Sequence, residues 1–205
     1  MEKKIYFASS NKAKLTRLKK IFGYVDKSII VEQVPEVIEV EETGKDVLEN
    51  AELKVLPYKN KYTFPVIGGD TGVFFEGEDF NPLHVKRICL NGEPESKFSQ
   101  EEIAIKIRDF YIQIAKKHGG KKEFYYKDGW AILLPDGTIR KEEYNREYIL
   151  TDRQQGAIDI YFPMRSLYVV KKTGKSTYEE TEEDFLSEFS PQIEAFKNLL
   201  KGVYL

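Results

Sequence analysis

Apolar positions along the chain switch repeatedly between short β-like runs and helical spacing. Lys4 to Ser9 is a compact apolar run ending in small polar residues. Asn11 then opens a segment in which Leu15, Leu18, Ile21 and Phe22 recur at helical intervals up to Gly23. Ile29 to Val34 reads as a second strand and Glu41 to Gly44 as a turn. Lys45 to Tyr58 reads as a helix whose Val47, Leu48, Ala51 and Val55 share a face. Phe64 to Ile67 returns as a strand that ends at Asp70, and Val73 to Phe75 continues extended. This alternation predicts an α/β sheet with ligand groups gathered at the carboxyl ends of its strands.

Further on, Pro82 to Leu90 reads as a short helix, and Gln100 to His118 as a long amphipathic one with Ile103, Ile107, Phe110 and Ile114 inward, stopped by Gly119-Gly120. Glu123 to Leu134 and Thr138 to Leu150 flank Pro135-Asp136-Gly137, a favoured hairpin signal. Ile158 to Phe162 reads as a further strand, and Ser190-Pro191 as the opening of the last helix, closed by Gly202. The expected architecture is an elongated mixed β-sheet flanked by helices, with two lobes around a central cleft: residues 1–80 plus 155–205, and 81–154.

Composition narrows the function. Charged residues make up 32% of the 205 but nearly cancel at a net charge of −2, which does not advertise nucleic acid, and 13% aromatic residues exclude disorder. Cys89 is the single cysteine and His84 and His118 the two histidines, so no cysteine/histidine zinc set exists. The N-terminal MEKKIYFASSNK lacks the apolar stretch of a signal peptide or membrane span, and a reducing cytoplasm is the expected location, with no membrane partner.

Ser9-Ser10-Asn11-Lys12-Ala13-Lys14 lies where a strand feeds a helix, so unpaired N–H groups and the positive helix end suit a phosphate, with Lys14 adding charge. Asn11 could bind that ligand or merely cap the helix. Glu41 and Asp70 are hard oxygen ligands from separate segments, the pattern Mg²⁺ accepts while keeping waters and substrate phosphates; surface acid and an Asp-Thr-Gly turn are the plain alternatives. Asn50 and Lys54, four apart, share a helix face. Asp159 entering an apolar run suits either base recognition or a strand cap. Tyr125, Tyr126 and Trp130 could stack on a base or fill the core.

Taken in order, these segments resemble the Ham1-like inosine triphosphatase family. Ser9 to Lys14 looks like its T-G-N-x-x-K phosphate loop, Glu41-Glu42-Thr43-Gly44 like its E-E-T-G turn, Glu49 to Lys54 like its E-N-A-x-x-K helix, and Gly69-Asp70-Thr71-Gly72 like its D-D-S-G turn. The resemblance implies a homodimeric pyrophosphatase that hydrolyses a nucleoside triphosphate to monophosphate and pyrophosphate. In it Glu41 and Asp70 hold Mg²⁺, Asp70 is also the catalytic base, and Ser9, Ser10, Asn11, Lys14, Asn50, Lys54, Thr71 and Asp159 contact substrate. The sequence also departs from the pattern. Gly69 replaces the first acid of the turn, Ser10 the loop glycine, Gly156-Ala157-Ile158-Asp159 only echoes F-G-[YW]-D, and the C-terminal S-H-R element has no clear match between Thr181 and Pro191. Substrate-base contacts, with Arg153 or Arg165 as candidates, are therefore open.

Overall fold

The computed structural model describes residues 3–204. Its strands are β1 (Lys3–Phe7), β2 (Ile29–Gln33), β3 (Val66–Phe74), β4 (Lys121–Leu133), β5 (Ile139–Thr151) and β6 (Tyr168–Val170). Its helices are α1 (Lys12–Val25), α2 (Val47–Val55), α3 (Val85–Cys89), α4 (Gln100–Lys117) and α5 (Glu182–Leu200). Among the described residues the strands form one mixed sheet in the order β2-β1-β3-β4-β5-β6. β1 runs parallel to β2, with Lys3 opposite Ile29, and to β3, with Phe7 opposite Ile67, whereas β5 and β6 are antiparallel. Because β2 and β3 flank β1 on opposite sides, right-handed crossovers send α1 and α2 to opposite faces of the sheet.

The chain divides into two compact units. The first comprises Met1–Gly72, Lys127–Asn145 and Phe189–Leu205, and the second Val73–Tyr126 and Arg146–Glu188. In the first, Ala8, Val34, Ala51, Val55, Tyr58, Val66, Ala131 and Leu133 form a buried cluster. Trp130 packs edge-on to Phe196 with centroids 5.0 Å apart, and Phe196 stacks on Phe22 at 4.9 Å. The second unit is built on aromatic packing, in which Phe124, Tyr126, Tyr148 and Tyr168 lie within one cluster.

Local chemistry moved several boundaries. α2 starts at Val47 because the Asp46 carboxylate accepts the N–H groups of Leu48 and Glu49, both at 2.9 Å, and capping fixes the helix start. β3 does not stop before the Gly69-Asp70-Thr71-Gly72 segment; it passes through it to Phe74. There the glycines serve close approach rather than a turn: a Cβ on Gly68 would lie 2.9 Å from Val55, and one on Gly69 2.6 Å from the Trp130 ring. Ile158 to Phe162 is no strand, because the Asp159 carboxylate accepts from Tyr161 and Phe162 N–H at 2.9 and 3.1 Å, closing a turn ahead of the 3₁₀ segment Pro163–Leu167. α5 begins at Glu182, and Pro191 sits inside it. The start is set by Thr181, which accepts Asp184 N–H at 3.2 Å while the Asp184 carboxylate accepts Thr181 N–H at 2.9 Å, a reciprocal cap. The hairpin formed as expected: Asp136 accepts Thr138 N–H at 2.8 Å, and Gly137 takes the positive φ of 86° the turn requires.

The second unit also buries an ionic cluster. Arg146 donates to Tyr148 Oη at 2.6 Å and to Glu188 Oε1 at 3.3 Å, and Tyr148 donates to that same Glu188 oxygen. Glu180 lies beside Glu188, and burial first, then its interaction with the Glu188 carboxyl and that group's charge, push the Glu180 carboxyl up to about 8, with Arg165 opposing. The folded chain therefore holds a proton that the unfolded chain releases near 4.5. Stability from this group is present below that value and is lost as pH rises toward the folded value. The expected outcome is a melting temperature that declines between about pH 5 and pH 8 and a Glu180→Gln variant with a shallower decline, measured by circular dichroism. An identical slope in the two proteins would refute the assignment.

Candidate active site

Alternation along β3 sorts its side chains. Gly68 faces Ala51, Lys54 and Val55 of α2, and Asp70, two residues on, points the same way; Gly69 and Thr71 face the opposite side, toward Trp130 and Asp128 of β4. Gly129 agrees, since a Cβ there would meet Val47 of α2 at 2.6 Å. The sheet thus presents two chemically distinct faces at one spot.

On the α2 face, the buried Asp70 carboxylate is held at both oxygens. Asn50 Nδ2 donates to Oδ2 at 3.0 Å, and Lys54 Nζ donates to Oδ1 at 3.0 Å and to the Gly69 carbonyl at 3.3 Å. One helical turn separates the two donors, so the i, i+4 spacing does the positioning. Asn50 spends its carbonyl oxygen on Gly44 N–H at 2.8 Å, tying the Glu41–Gly44 turn to the helix, and a Cβ on Gly44 would fall 2.6 Å from that oxygen. Lys54 Nζ also meets Glu42 Oε1 at 2.8 Å, so one ammonium bridges two carboxylates from distant segments. Burial pushes the Asp70 carboxyl up, but the Lys54 ammonium, the Asn50 amide and Lys14 overcome that and hold it below its ordinary value. Asp70 is therefore a buried carboxylate held in its ionised form.

The phosphate-loop residues lie at the carboxyl end of β1, where Ala8 N–H bonds Ile67 O at 2.9 Å. Asn11 caps α1, its Oδ1 accepting Lys14 N–H at 2.9 Å, and Ser9 Oγ accepts Asn11 N–H at 3.2 Å; Ser10 is exposed. Lys14 is half-buried, and its pKa falls to about 8 through burial first and Lys54 second, while Asp70 and Asp128 oppose the fall. The structure thus brings Lys14, Asn50, Lys54, Asp70 and Thr71 into one charged neighbourhood of the first unit.

Glu41 is exposed, and its backbone carbonyl accepts Thr43 N–H at 3.0 Å; the adjacent Glu42 is the acid that reaches Lys54. Asp159 lies in the second unit, with its carboxylate spent on its own turn. Among the described residues no group of three histidine, cysteine or acidic side chains converges as a ready metal cage. Sequence reasoning missed Glu42, Asp128 and the placement of Trp130. Asp128 left one trace, an acid inside the apolar run leading to Trp130-Ala131-Ile132-Leu133; it is fully buried and accepts Thr71 Oγ1–H at 2.8 Å.

A mixed sheet with helices on both faces and a lysine-bridged acid pair beside its third strand places this chain among mixed α/β proteins. A model of the Ham1 family matches residues 5–106. The dITP/XTP pyrophosphatase of Aquifex aeolicus is 37% identical over 148 residues, 68% of this chain and 71% of that protein, and the one from Oceanobacillus iheyensis is 34% identical over 107 residues, 51% and 53% of the two. The chain belongs to the Ham1 family. Its fold matches the Staphylococcus aureus Ham1 protein with TM-score 0.66 at 21% identity, covering 98% of this chain and 99% of that one. A HAM1 protein from Coxiella burnetii aligns with TM-score 0.67 at 17% identity, covering 97% and 98%.

The glycine at position 69 has a measurable consequence. Gly69→Ala drives a methyl into the Trp130 ring, so unfolding in urea should show a loss of about 1–3 kcal/mol. Wild-type stability in the variant would mean that the indole yields freely.

Proposed function

We propose that this chain is a nucleoside triphosphate pyrophosphohydrolase acting on non-canonical purine nucleotides, the class named for its relatives, with the chemistry in the first unit. The observation that carries the reading is the buried Asp70 carboxylate held ionised by Asn50 and Lys54. A carboxylate so held is ionised and can orient an attacking water by hydrogen bond or join a cation's ligand shell, while its lowered pKa makes it a weak proton acceptor by itself. Lys54, Lys14 and the α1 N-terminus supply positive charge where a polyphosphate would sit, and they stabilise the negative charge that develops on departing pyrophosphate.

The donor chemistry fits Mg²⁺, which needs one or two carboxylates and takes its remaining ligands from water and phosphate. Asp70 and an acid of the Glu41-Glu42 turn would hold the ion, and the fit rests on two carboxylates already drawn to a single cation, the Lys54 ammonium. When bound, the metal neutralises phosphate charge and lowers the pKa of a coordinated water. In this reading Ser9, Ser10 and Asn11 supply neutral donors around the phosphates, and the Thr71 hydroxyl, expected to join them, is spent on Asp128 instead. Gly69 and the engaged Asp159 favour a base preference that departs from the family pattern.

Pyrophosphate release from a panel including dITP, XTP, ITP and the four common triphosphates, with Mg²⁺, tests the function. We expect turnover of at least one purine triphosphate and a loss of roughly a hundred- to ten-thousand-fold in Asp70→Asn with the fold retained. Binding without hydrolysis across the whole panel would instead identify a nucleotide-binding relative and reject the enzyme.

A further inference from the structure

The strand that carries Asp70 is gripped from both faces, and only the α2 grip is accounted for by the function proposed above. On the other face Thr71 Oγ1 donates to Asp128 Oδ1 at 2.8 Å, and Asp128 has no solvent exposure. A buried carboxylate is costly to a fold, and an apolar pair in place of Thr71 and Asp128 would serve a scaffold as well or better. Gly69 explains why the acid comes from β4. The Trp130 ring fills the space a side chain at 69 would need, so the carboxylate on this face stands two residues before that tryptophan, on the same side of β4.

We propose that Asp128 is a positioning residue for the hydrolysis: through Thr71 it clamps β3 from the face opposite Asn50 and Lys54, so that Asp70 is presented from backbone fixed on both sides. Small displacements of a reacting group cost large factors in rate, which is what such a clamp prevents. The inference rests on Asp70 being the catalytic carboxylate.

Steady-state kinetics on a hydrolysed nucleotide, with thermal melting of every variant, provide the test. Thr71→Val and Asp128→Leu should each lower kcat by on the order of ten- to a hundredfold with KM within about threefold, and the double variant should lose no more than the worse single one. Thr71→Ser and Asp128→Asn, which keep a donor and an acceptor oxygen, should recover most of kcat. A merely structural role predicts lowered melting temperatures with kcat unchanged among folded variants, and that result overturns the proposal. If Asp128→Leu fails to fold, the Thr71→Val and Thr71→Ser pair decides the matter alone. Turnover by the wild type with Thr71→Val unimpaired removes the clamp but leaves the enzyme; a wild type inactive on every nucleotide removes both.

Discussion

An ionised carboxylate below the surface of a sheet is tolerable only with a cation beside it, and Lys54 meets that condition for Asp70 at 3.0 Å. Much of the first unit follows from bringing that ammonium so close. α2 must lie directly on β3, which is possible because Gly68 offers no Cβ to hold it away. The helix must start in register, which Asp46 ensures, and Asn50 must reach the second carboxylate oxygen while its carbonyl anchors the Gly44 turn. That turn in turn delivers Glu42 to the same ammonium. The turn at Glu41–Gly44 and the strand at Gly69–Asp70 are thereby both tied to two polar side chains of one helix.

What could be read in advance was whatever is encoded locally. The i, i+4 pairing of Asn50 with Lys54, the Asp-Gly hairpin and the apolar face of α4 depend on backbone periodicity and turn chemistry, and each stands where its spacing put it. The failures are tertiary or competitive. Gly-Gly-Asp-Thr-Gly carries the composition of a turn, yet β3 runs through it, because its glycines answer the closeness of α2 and Trp130. Asp159 lies in a segment apolar enough for a strand, but its carboxylate bonds the backbone two and three residues on and bends the chain. In α5 the Ser-Pro pair masked the real start eight residues earlier at Glu182, where Thr181 and Asp184 cap each other. Which of Glu41 and Glu42 reaches Lys54 depends on the turn backbone, which adjacent identical residues do not disclose.

Gly69 shows how one position can redistribute chemistry over a whole face. Trp130 occupies the volume beside it, packs on Phe196, and satisfies its indole N–H on Tyr144 Oη at 3.0 Å, so the aromatic core reaches the edge of the charged site. Such packing leaves no room for a side chain at 69. The face opposite α2 carries the Thr71–Asp128 hydrogen bond beside this aromatic packing, while the α2 face carries the ion pairs of Lys54.

This asymmetry bears on catalysis. On the proposed reading Asp70 has to be open to its ligands on one side and held still on the other. Aromatic packing fixes side chains through many weak contacts without direction, whereas a hydrogen bond fixes one atom along one line. β3 and β4 are neighbours in the sheet, so Trp130 fills the volume over Gly69 while the Thr71–Asp128 hydrogen bond adds one directed cross-strand contact a residue beyond Asp70. The Trp130 and Asp128 side chains leave the same side of β4 two residues apart, so a single strand supplies both the packing and the directed hydrogen bond.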